Sequence, residues 1–186
     1  MDMEQNYIKR AIECIILVSG KPVPSKELIE VFPDLGKEEL KQCLDELINE
    51  WNELGRGFRL QEVAGGYQFR TLSDYSEIII QFKQSKPFRL SRAALEVLAI
   101  IAYRQPITRI EIDQIRGVDS SGVIGLLLDK HLIEMQGRKE VIGRPFLYRT
   151  TEEFLQTFGL KTLKDLPTLK ELEEIQKSME ESAKVY

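Results

Sequence analysis

The chain has 186 residues, 42% hydrophobic and 30% charged, with a formal net charge of −4, the composition of an ordinary soluble globular protein with room for one large or two small domains. The acidic balance excludes a global nucleic-acid-binding footprint, which needs clustered positive charge, but leaves room for a local basic patch. The longest apolar runs, such as GVIGLLL, fall far short of the roughly 20 residues a membrane span requires.

A first unit is predicted over 1–72. Ile8, Ala11, Ile12, Ile15 and Ile16 share one face of a helix from Asn6 to Val18. Gly20 breaks it, and the prolines of KPVP force an extended connection. Ser25 is the expected N-cap of a short helix through Phe32, with Pro33 and Gly36 in the turn that follows. A longer third helix is expected from Lys37 to Leu54, with Leu40, Leu44, Leu47, Ile48, Trp51 and Leu54 as its buried stripe and Gly55 and Gly57 ending it. FRLQEV and YQFRTL then alternate on either side of Ala64-Gly65-Gly66, where Gly-Gly signals a hairpin turn. The order is helix, helix, helix, wing. Cys14 and Cys43 lie in the apolar helical pattern and read as small buried hydrophobes.

Residues 73–89 are expected to link the units, with a short helix over Asp74–Ser85 closed by Pro87. The second unit, 90–167, repeats the grammar. Ser91 caps a helix to Arg104, and Pro106 takes the place Pro22 held 84 residues earlier, an architectural repeat without residue identity. Thr108 and Glu111 form a capping box for the second helix, which Gly117 stops. Asp119 or Ser120 caps the third helix, carrying Val123, Ile124, Leu127, Leu128 and Leu132. IEMQ, a loop with Gly137 and Gly143, and PFLYRTT complete a second wing. Thr151–Leu166 reads as a helix and a turn packed back on this unit, stopped by Pro167. Residues 168–186 form a charged tail, disordered or frayed alone, whose Leu169, Leu172, Ile175 and Met179 recur at spacings suited to ordering on a partner. The fold class is therefore mainly α with small β-hairpin wings, as two tandem winged helix-turn-helix domains. In Ala93–Ala102 every residue but Glu96 is apolar. Such a helix is covered on more than one side, here by the linking helix and the Thr151–Leu166 extension, or in part by a partner protein.

No residue constellation supports catalysis. His131, the only histidine, has no cysteines near it in sequence and reads better as a helix C-terminal residue than as a zinc ligand or triad member. The glycines sit in wings and match neither phosphate-binding pattern. The pairs Glu38-Glu39 and Glu173-Glu174 fit solvated faces. Nucleic-acid binding is the closer contest, because winged helices often lay their third helix in the major groove. Yet Lys37–Leu54 holds two lysines against six acids, and Asp119–Ile133 holds Lys130 against Asp119 and Asp129. Phosphates repel such helices. Basic residues gather instead in the second wing, at Arg138, Lys139, Arg144 and Arg149, opposed by Glu140. That wing is the candidate for weak contact with a DNA backbone, against the commoner reading of a solubilising surface.

The run LSRAALEVLAIIAYRQPITRIEIDQIRGVDSSGVI, with A-Y-x-Q-P-I-T-R at Ala102–Arg109 and I-R-G at Ile115–Gly117, followed by G-R-P…TT..FL..FGL over Gly143–Leu160, closely resembles the bacterial segregation and condensation protein B (ScpB) family. The likeness is strong over Leu90–Pro167 and looser, but collinear, over the first unit. It implies a non-enzymatic subunit that takes no cofactor or metal. It implies a homodimer formed mainly through the N-terminal winged-helix domain, which embraces a segment of the kleisin ScpA and, through it, meets the SMC ATPase in chromosome condensation and segregation. DNA would be met indirectly or weakly, with no membrane or small-molecule substrate, in the cytoplasm at the nucleoid. Two positions depart from the expected pattern: Gly125, where a polar or basic residue is expected on the third helix of the second unit, and Arg149, where a smaller one is. The residues that touch ScpA stay unassigned. The alternative class is a winged-helix DNA-binding transcription regulator.

Overall fold

The structure, a computed structural model, describes residues 2–84, 89–168, 171 and 174. The tail expectation over 168–186 therefore lies mostly outside the described residues. The first unit runs α1 (Asp2–Ser19), α2 (Ser25–Val31), α3 (Lys37–Glu53), β1 (Phe58–Val63) and β2 (Gly66–Thr71). A 3-10 turn at Ser73–Tyr75 leads into α4 (Ser76–Lys83). The second unit runs α5 (Arg92–Arg104), β3 (Ile107–Thr108), α6 (Arg109–Arg116), α7 (Ser121–Asp129), β4 (Ile133–Arg138), β5 (Phe146–Thr150), α8 (Glu152–Phe158) and a second 3-10 turn at Leu163–Asp165. This is a mainly helical chain with tandem winged helices.

Each unit closes its own apolar core. In the first, Ile12 and Ile16 of α1, Leu28 of α2 and Leu40, Leu44 and Leu47 of α3 meet Leu60 and Tyr67 of the wing. In the second, Val97, Leu98 and Ile101 of α5 meet Ile112, Ile124, Leu127, Ile133, Tyr148 and Phe154. These are the residues at helical spacing in the sequence, because one helix face and one strand face must leave water together. Leu54 departs from this stripe. It caps α3 and is 54% exposed, because Gly55 turns the chain away at φ +58°. Cys14 is likewise exposed, on the face of α1 opposite Ile12 and Ile16, whereas Cys43 is half-buried.

Two local expectations are corrected. Pro24, not Ser25, is the N-cap of α2, with no side-chain cap. The first wing turns on Ala64-Gly65, both left-handed at φ +49° and +71°, so Gly66 is the first residue of β2 rather than part of the turn. Glycine is still required there, because a Cβ on Gly66 would lie 2.8 Å from the carbonyl carbon of Val23. α7 begins as expected, at Asp119-Ser120. Ser120 stands at its N-cap, but its hydroxyl accepts from the Arg116 guanidinium at 2.8 Å, and Asp119 instead holds the first turn through Ser121.

The residue after each repeated proline pairs with a wing strand. Ile107-Thr108 pairs with β5 to make a three-stranded sheet of order β3-β5-β4, and Val23 makes a single antiparallel bridge to Tyr67. Neither pairing is visible in the sequence, since two residues are too few to show alternation. The cover of α5 also differs from expectation. The extension covers one side, through Leu155, Leu160 and Leu166 and a 2.7 Å bond from the Tyr103 hydroxyl to the Pro167 carbonyl. No described residue of α4 joins that core, and Leu95 and Ala99 face outward.

Candidate functional site

The two surfaces a winged helix would turn to DNA can be judged side by side. On α3 the exposed face carries Glu38, Asp45 and Glu53 beside Lys37 and Lys41. Its other acids work inside the molecule. Lys9 of α1 reaches Glu46 at 2.6 Å and Glu50 at 2.7 Å, and these hydrogen bonds push the lysine pKa up and hold Glu46 below the usual carboxylate range. Glu13 accepts from the Trp51 indole at 2.7 Å, and Trp51 packs against Phe58 and Phe69 of the wing. The acids of α3 thus serve to anchor α1 and leave a negative outer face.

On α7, Ser121–Asp129 contains no cation. Its outer face is Ser121, Gly122, Leu126 and Asp129. Gly122 and Gly125 have open space where a Cβ would stand. A helix with this face offers base edges little to bond with.

The four basic residues proposed for the second wing divide into two groups. Arg138, Lys139 and Arg144 come together, with the Arg138 guanidinium donating to the Arg144 carbonyl at 2.9 Å and stacking 3.8 Å from the centre of the Phe146 ring. Arg149 stands apart on β5, opposite Glu134, with its Nε 2.5 Å from the carboxylate. Arg144 pairs with Glu140 at 3.1 Å and Lys139 with Glu111 at 2.6 Å. Glu111 is also the acid of the α6 capping box, accepting from the Thr108 N–H and hydroxyl. The Lys139 bond, followed by the two Thr108 bonds, lowers its pKa from 4.5 to about 2. Three of the four cations are therefore compensated within the chain, and one of the pairs, Lys139 with Glu111, joins wing to helix across a separation that sequence spacing does not reveal.

His131 follows α7 at φ +54°, and its carbonyl accepts from the Thr151 hydroxyl at 2.5 Å. Among the described residues no cluster of three or more His, Cys, Asp or Glu could hold a metal ion, and no helix is long and apolar enough to cross a membrane. Glu38 is exposed, while Glu39 returns to the Gly36 N–H at 2.9 Å as a capping box. Glu173 lies outside the described residues.

The family model described as segregation and condensation complex subunit ScpB matches residues 10–169. A relative from Syntrophotalea carbinolica, named segregation and condensation protein B, is 48% identical over 178 residues, covering 96% of this chain and 90% of its own. One of the same name from Alkaliphilus metalliredigens is 43% identical, covering 92% and 90%. A crystal structure of ScpB from Mycobacterium tuberculosis is 29% identical, covering 84% of this chain and 97% of its own, with a TM-score of 0.40.

Proposed function

Because this chain belongs to the family of the segregation and condensation complex subunit ScpB, we propose that it acts as a non-enzymatic adaptor. In this reading it is a homodimer that binds the kleisin ScpA and, through it, the SMC ATPase, at the nucleoid in the cytoplasm. The domains that do this are 1–72, joined by 73–89 to 90–167, with 168–186 as a tail.

The observation that carries the reading is the chemistry of the two third helices. One presents an acidic outer face, and the other has no cation at all. Duplex DNA is lined with phosphates, so both helices lack what major-groove reading requires. The paired cations of the second wing support the same conclusion, since an arginine already holding a carboxylate releases fewer counterions on meeting a phosphate. Direct DNA contact is then weak, through Arg138, Lys139, Arg144 and Arg149. A tandem winged-helix chain without groove chemistry is suited to present protein-docking faces.

The test is to mix the purified chain with its cognate kleisin at micromolar concentration and follow size-exclusion chromatography with light scattering. The chain alone is expected to elute with the mass of a dimer and the mixture as one larger species. Separate elution of the two proteins would overturn kleisin binding, and a monomer mass would overturn the homodimer.

A further inference from the structure

The first wing does more than close its own unit. Its turn residues, Ala64 and Gly65, are both left-handed, so their consecutive N–H groups point outward together. They donate to the carbonyls of Leu160 and Lys161 in the extension of the second unit, at 2.8 Å and 3.0 Å. Two side-chain contacts flank this pair. Lys161 reaches Glu62 at 2.9 Å, and the Arg70 guanidinium donates at 2.7 Å to the carbonyl of Gln156, in the last turn of α8, which also accepts from the Gly159 N–H at 3.3 Å.

Both sides of the contact are tied to a core. Val63, beside the turn, is buried, and the wing is bridged to Val23 through Tyr67. Leu160 packs on the second core, just after Gly159 ends α8 in the left-handed conformation. A displacement of one unit relative to the other must therefore break these bonds. Each is individually modest and lies at the surface, so the set suits a contact that opens and closes.

We propose that the wing turn Ala64-Gly65, with Glu62 and Arg70, and the segment Gln156–Lys161 form a latch that holds the two winged-helix units in one mutual orientation. Opening it changes the spread between them without unfolding either core. The inference concerns the free chain and does not depend on the kleisin reading.

The experiment measures the distance between spin labels on the two units by pulsed electron paramagnetic resonance. One label sits on the native Cys14, exposed on α1, and the other on an Asp129→Cys substitution at the end of α7, in a Cys43→Ala background. The labelled chain is diluted into excess unlabelled chain, so that only pairs within one chain contribute. The latch predicts a single narrow distance for the otherwise native chain. Lys161→Glu, which sets two carboxylates against each other, should broaden the narrow peak with unchanged helical circular dichroism. Glu62→Lys combined with Lys161→Glu should restore it. A broad distribution in the native chain, an unaltered narrow peak in Lys161→Glu, or failure of the double exchange to restore the peak would each overturn the latch.

Discussion

Lys139 sets its ammonium 2.6 Å from the carboxylate of Glu111, so a wing cation that the sequence offers to phosphate is bound instead to the acid that caps α6. The contact joins wing to helix and holds Glu111 in its charged form.

It also sets a pH dependence. The Glu111 pKa falls to about 2 from 4.5. For an acid depressed in the folded state, the stabilisation is present above the unfolded value and is lost as pH falls through the folded one. Glu111→Gln should therefore lower the thermal midpoint at neutral pH, and the gap to the native chain should shrink between about pH 4.5 and about pH 2. With both side chains well exposed to solvent, the gap will be modest. Thermal melts of both proteins across this range provide the check, and a gap that stays constant with pH would contradict it.

Gly66 is the position where an added methyl is least tolerable. Its Cβ would lie 2.8 Å and 2.9 Å from backbone atoms of Val23, which is held in place by the bridge to Tyr67. Gly66→Ala should destabilise by about 1–3 kcal/mol, the usual cost of overpacking, read from denaturant unfolding. A neutral substitution would mean that the wing and the Pro22–Val23 segment separate easily.

Gly125 makes the opposite case. It lies inside α7 on a helical backbone, with open space where an alanine methyl would stand. Gly125→Ala should stabilise the chain by about 0.5–1 kcal/mol, because alanine loses less backbone entropy on entering a helix. Denaturant unfolding reads this directly, and an unchanged or lowered midpoint would contradict it. The same substitution tests whether that bare face docks a partner. If it does, kleisin affinity will fall while stability rises.

The second wing makes a quantitative prediction about DNA. Arg138 is the one member of its four cations with no carboxylate partner among the described residues. Each phosphate neutralised on a duplex contributes about −0.9 to the slope of log K against log salt. The slope for this chain should be shallower than about −2, measured by fluorescence anisotropy at several salt concentrations. A steep slope would show that the pairs open to release their cations.

Much of the fold was legible because its signals are local. The Thr108–Glu111 capping box, the Ser91 cap and the left-handed Gly117 each depend on residues within one turn, and the structure has all three. The misses need information from far along the chain. Gly66 looked like a turn residue because its true constraint, the backbone of Val23, is 43 positions away. The strand at Ile107-Thr108 is invisible without β5, and Cys14, though set among apolar residues, faces outward because it stands on the face of α1 opposite Ile12 and Ile16. Nothing in the spacing of Arg149 announces Glu134 across the ladder, and the bonds from Ala64 and Gly65 to the extension join backbone atoms whose side chains carry no trace of the contact. Charge was the part of the candidate surface that could be read directly, since the acids of α3 and the scarcity of cations around α7, where Lys130 stands at the C-cap, are properties of composition.

On the proposed function, these winged helices meet protein and not duplex. This is tested most directly by titrating the fluorescently labelled chain, in one buffer at about 150 mM salt where surface electrostatics are screened beyond about 8 Å, with the cognate kleisin and separately with a mixed-sequence duplex. Saturable kleisin binding at micromolar concentration or below is predicted, with no saturable, sequence-selective duplex binding. Tight, selective binding of the duplex with none of the kleisin would contradict it.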